Sequence, residues 1–194
     1  MKRTPGHPHI VVALAIVRTR PEGHRNSAIR SIAMLTVTRD GKRAARFHCR
    51  HATFDPDHTR AEIIAGIAQR VPRGATVLTA EPPVLVHRLR YARFSGGVSP
   101  TDTELIAREL RETATTIIPV RMVGQHRLAT FRSLALQRPV RANDPIRRRR
   151  RAAFMAQTIW ATYVSANCAP AEQRVLLAAF DAWRALERAR GGAW

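Results

Sequence analysis

The sequence predicts an α/β fold: a mixed, hairpin-containing sheet of about five strands flanked by helices, with a further helical element at the C-terminal end. Three observations carry the prediction. Residues 10–17 are continuously apolar and rich in β-branched side chains, as in a central strand covered on both faces. Arg39-Asp40-Gly41-Lys42 is a hairpin turn signal between two strand-like runs. Beyond it, segments of helical period alternate with a short apolar run, and the chain closes on an amphipathic helix.

Residues 1–9 carry two prolines, one glycine and two histidines and are expected to form a flexible basic start. After the first strand, residues 18–26 supply a polar loop. The hairpin pairs residues 31–38 with a return strand at about 43–49. Residues 59–70 place Ile63, Ile64, Ile67 and Ala68 at helical spacing, with Thr59 and Glu62 in a capping-box pattern, and Pro72 and Gly74 close that helix.

Residues 75–80 form a short strand, after which Pro82-Pro83 open a helix through residue 90, since proline fits the first turn. A glycine-containing loop at 95–100 leads to a helix over 102–113, capped by Thr101 or Ser99, and another helix spans 128–136. A run of arginines at 147–151 precedes a helix over 152–164, with Met155, Ile159 and Tyr163 on one stripe. The last helix, 171–189, aligns Val175, Leu176, Ala179, Phe180, Trp183 and Leu186 and stops at Gly191-Gly192. This divides the chain into the start at 1–9, one domain at 10–165, and a C-terminal helix at 166–194 that packs on the domain or on a partner.

The formal net charge is +19, from 33 Lys and Arg against 14 Asp and Glu, and the only lysines are Lys2 and Lys42. Arginine pairs bidentately with phosphate and stacks on bases, so the excess points to a nucleic-acid partner. The charge lies upstream of the last two helices, because residues 152–194 hold four arginines against three acids. Cys49 and Cys168 are too few for a disulfide framework and lack metal-ligand spacing, which fits a reducing, cytoplasmic setting. The apolar run at 10–17 ends in Arg18 and Arg20, without a cleavage pattern, and is far short of a membrane span.

The eight histidines show no pair at i, i+4 around an acid, no serine lies in a nucleophile elbow, and no glycine-rich phosphate loop follows a strand. Each histidine therefore reads as structural or solvated, and no cofactor is expected. The basic features are more specific. Arg147, Arg148, Arg149, Arg150 and Arg151, with Arg138 and Arg141 upstream, stand near a helix start, where adjacent cations repel one another and oppose the macrodipole unless an anion compensates. Tyr91 and Phe94 are interleaved with Arg88, Arg90 and Arg93, a pattern suited to single strands. Phe47, Phe54 and Phe131 are further aromatics available to stack on bases.

Several local strings, in order, resemble the DnaQ-like (DEDD) 3′-to-5′ exonuclease superfamily. IVVALAIVRT stands where that family has its first strand, SIAMLTVTRDGK and ARFHCR resemble its second and third strands, VLTAEPPVLVHRL its second motif, LATFRSLALQR its Asp-Thr helix, and RRRRRAAFMAQTIW its third motif. The resemblance covers most of residues 10–165 and implies a ribonuclease H-like fold. It also implies a chemistry in which four acidic residues hold two divalent cations that activate water.

Carried across, the first-motif acids fall on Ala13 and Ala15, the second on Leu85 or Val86, the third on about Ala152, and the general base near Arg147, with Ala129 where the family's helix has Asp. Glu81 is the one acid close to a family motif. The resemblance therefore implies a pseudoenzyme that binds nucleic acid, DNA or RNA, through its arginine-rich surface. Two alternatives stand beside it. One is an active nuclease using Mg or Mn with Glu81 and acids such as Glu22, Asp102 or Asp144. The other is a protein-interaction subunit of a DNA-processing complex or a homodimer, docking through Phe180 and Trp183.

Overall fold

A computed structural model describes residues 9–19, 28–39, 45–80, 102–110, 116–120 and 144–191, with backbone alone at 102–104 and 107. The described strands are β1 (His9–Thr19), β2 (Ala28–Arg39), β3 (Arg46–Thr53), β4 (Thr76–Ala80) and β5 (Thr116–Val120), and the helices are α1 (Arg60–Arg70), α2 (Asp102–Leu110), α3 (Pro145–Asn167) and α4 (Pro170–Ala189). The strands form one mixed sheet in the order β3-β2-β1-β4-β5. β1, β2 and β3 pair antiparallel, whereas β4 and β5 run parallel to β1. This order is consistent with the ribonuclease H-like topology. Among the described residues no helix is long and apolar enough to cross a membrane.

β1 lies at the centre of the sheet, and its unbroken apolar run follows from that position. Val12 and Leu14 point to one face and Val11, Ala13, Ala15 and Val17 to the other, as strand alternation requires. On the first face, Ile63, Ile64 and Ile67 of α1 and Ile106 and Leu110 of α2 pack over Ile32, Met34 and Val77. Thr59 caps α1 in a capping box, its hydroxyl accepting from the Glu62 amide while the Glu62 carboxylate accepts from the Thr59 amide.

α3 covers the second face. Ala152, Ala153 and Ala156 pack in the same layer as Ala13, Ala15 and Ala33, and small residues on both sides let helix and sheet approach closely. α4 folds back beside α3, joined to the end of β2 by an ion pair between Arg39 and Glu172. Its apolar residues close an aromatic cluster in which the ring of Phe47 on β3 lies 5.1 Å from Trp160, 5.4 Å from Phe180 and 5.6 Å from Trp183.

Several expectations shift. The return strand of the hairpin runs over Arg46–Thr53 rather than 43–49. The helix expected to start at 152 starts at Pro145, because Asp144 caps it. β5 is a strand that the sequence reading did not name. The expected helices at 82–90 and 128–136 lie outside the described residues.

Candidate nucleic-acid interface

The arginine run is part of α3 and not a segment in front of it. Asp144 is the N-cap: its carboxylate accepts from the Arg147 amide at 2.9 Å and pairs with Arg147 Nε at 3.0 Å. Pro145 occupies the first turn, where its missing amide costs nothing. Asp144 is thus engaged at the helix start, in a role separate from the nuclease chemistry considered for it.

Arg147, Arg149 and Arg150 are exposed and Arg148 and Arg151 half-buried. Among the described residues no carboxylate pairs with Arg148, Arg149 or Arg150, and the buried Nε of Arg148 has no hydrogen-bond partner. Cations at the positive end of a helix cost roughly 0.3–1 kcal/mol each when exposed. One Asp144 offsets only part of that.

Neighbouring contacts fix where this charge sits. Arg149 lies against His51 and Trp160 against Phe47, so α3 runs antiparallel to β3. Because β1 and β3 both oppose β2 while β4 and β5 follow β1, the start of α3 lies at the carboxyl ends of β1, β3, β4 and β5. Open α/β sheets bind their ligands at that end.

The positions onto which the exonuclease resemblance would carry carboxylates behave differently. Ala13, Ala15 and Ala152 are 0, 1 and 0 % exposed and belong to one apolar layer. All three lie in the core layer between the sheet and α3, not in an open cleft. An ionised carboxylate there would be desolvated without a partner. Glu81, Leu85, Val86 and Ala129 lie outside the described residues, as do Arg88, Arg90, Tyr91, Arg93, Phe94, Phe131, Arg138 and Arg141.

Phe47, expected among the base-stacking aromatics, is instead the centre of the cluster with Trp160, Phe180 and Trp183. Phe54 is half-buried against the α1 face, with its ring 5.9 Å from His58. Phe180 is 1 % exposed and Trp183 packs beside it, so the large apolar side chains that α4 leaves exposed are Val175 and Leu186. Both cysteines are free thiols; burial first, and Glu187 second, push the Cys49 thiol up to about 12. Among the described residues no three His, Cys, Asp or Glu side chains gather as a metal site.

Sequence reasoning missed a second basic feature, on the outer edge of β3. Arg46, His48 and Arg50 alternate there, a period-two signal visible in the string RFHCR. The edge opens into a groove that Arg70 of α1 and Arg149 of α3 also line. Burial, followed by the charge of Arg149, lowers the His51 pKa and favours its neutral form. Comparison of the chain with protein-family models and with curated proteins finds no match, so the exonuclease likeness rests on strand order and the local strings.

Proposed function

We propose that the protein binds nucleic acid through backbone phosphates, without strong sequence preference and without cutting it, on a ribonuclease H-like scaffold that resembles the DnaQ-like exonucleases. The observation that carries this reading is the pairing of two features of α3: its start holds Arg148, Arg149 and Arg150 without carboxylate partners among the described residues, and its next turns bury alanine in one layer with Ala13 and Ala15, where the resemblance would call for carboxylates. Arginine forks match phosphate oxygens, and phosphate contacts position a strand without reading its bases.

Two assays on purified protein test the proposal. Replacing Arg147, Arg149 and Arg150 by Ala is expected to weaken binding of a labelled single strand by on the order of tenfold or more. Incubating the same strand with Mg or Mn is expected to release no nucleotides. Metal-dependent release abolished by Glu81→Ala would replace this reading with that of an active nuclease.

A further inference from the structure

The edge of β3 carries charge that the core does not explain. Register sets Arg50 against Met34 and His48 against Thr36, so these side chains share the α1 side of the sheet, where the neighbouring strands carry apolar residues. Charged side chains on an edge strand discourage pairing with another chain. That role accounts for cations here, yet it does not account for a groove built from three further directions.

The groove encloses about 360 Å³, with Arg50 and His48 along the strand, Arg70 and Arg149 at its walls, and Met34 beneath. No carboxylate lines it, and among the described residues Arg50, Arg70 and Arg149 have no ion-pair partner. Two of the guanidiniums are held in place. Arg50 Nε donates to His48 Nε2 at 2.9 Å, which leaves its terminal amino groups available, and Arg70 Nη1 donates to the Gly66 carbonyl at 2.6 Å. Oriented guanidiniums around one concavity present an anion site whose donors are already positioned. The volume lies near the lower end of the roughly 300–1,000 Å³ of small-molecule pockets, room for one nucleotide unit and not for a duplex.

We infer that this groove is a second phosphate subsite, which takes a phosphodiester unit of the same nucleic-acid strand that the start of α3 holds. The inference rests on the nucleic-acid reading above. Arg149 belongs to both features, so the strand passes from the α3 start over the β3 edge toward the end of α1.

The test uses the full chain and a labelled oligodeoxythymidine, with affinity measured across a salt series. Arg50→Ala with Arg70→Ala is expected to weaken binding by about tenfold and to make the salt slope shallower by about 1. Arg174→Ala with Arg188→Ala removes the same charge from exposed sites on α4 and is expected to change affinity less than about twofold. If the groove pair behaves like the α4 pair while Arg147→Ala with Arg150→Ala loses affinity, the subsite is wrong and the α3 reading stands. If none of the three pairs differs from the unmodified protein, both fall. Thermal melts confirm that the variants are folded, and Arg70→Ala alone, at an exposed site on α1, reads the same groove if the double variant is not.

Discussion

The two faces of the sheet are covered in different ways. Toward α1 and α2 the contact is made by branched aliphatics, Ile32, Ile63, Ile64, Ile67 and Ile106, the ordinary solution for short helices on a sheet. Toward α3 the alanines Ala13, Ala15, Ala33, Ala152, Ala153 and Ala156 share the layer with Leu35, Leu78 and Ile159, and the aromatic cluster near Phe47 adds further bulk. The alanine layer holds Ala13, Ala15 and Ala152, where the exonuclease resemblance calls for carboxylates. The difference teaches that the positions where the resemblance calls for carboxylates serve packing here, while the charge on α3 sits one turn earlier, at the sheet's carboxyl end.

The largest expected effect breaks the alanine face. Ala13→Asp places an unpaired carboxylate in a dry layer and is expected to cost more than about 4 kcal/mol, seen as loss of a cooperative thermal transition. A folded Ala13→Asp protein that binds Mg would mean that α3 can lift away and that the site is latent rather than filled.

A smaller effect compares the bulk on the two faces. Phe180→Ala is expected to cost about 3–5 kcal/mol and Ile67→Ala about 2–5 kcal/mol in urea unfolding, but only Phe180→Ala should loosen α4, detectable as faster amide exchange there. Equal protection of α4 in both variants would show that the aromatic cluster does not hold it.

The smallest effect sharpens the contrast within α3. Asp144→Asn keeps an N-cap of similar quality, so stability should change by no more than about 0.5 kcal/mol, while release of Arg147 tightens single-strand binding by roughly twofold. Weaker binding would mean that Asp144 orients Arg147 for its partner.

Local signals were legible in the sequence. The capping box of Thr59 and Glu62, the buried run of β1 and the apolar stripe of α4 each depend on neighbours a few residues away. Long-range pairing was not. β5 reads TIIPV, and Pro119 argues against a strand unless the strand is at an edge, which is where β5 lies. The limits of β3 follow from its register with β2, from Ser31 opposite Thr53 to Thr38 opposite Arg46, which composition does not fix.

At the candidate site, the arginine run was conspicuous but its place inside α3 was not. Five cations hide the apolar period, although Asp144-Pro145 is a local start signal. Phe47 resembled a stacking residue by its basic neighbours, and its burial under α4 is a tertiary outcome. Arg50, Arg70 and Arg149 meet in one groove from three elements far apart in the chain, so no window of sequence displays them together.

The salt dependence of single-strand binding tests the central claim most directly. If about six phosphates are contacted, the logarithm of affinity should fall against the logarithm of salt concentration with a slope near −4 for a single strand. A slope near zero would contradict phosphate-directed binding.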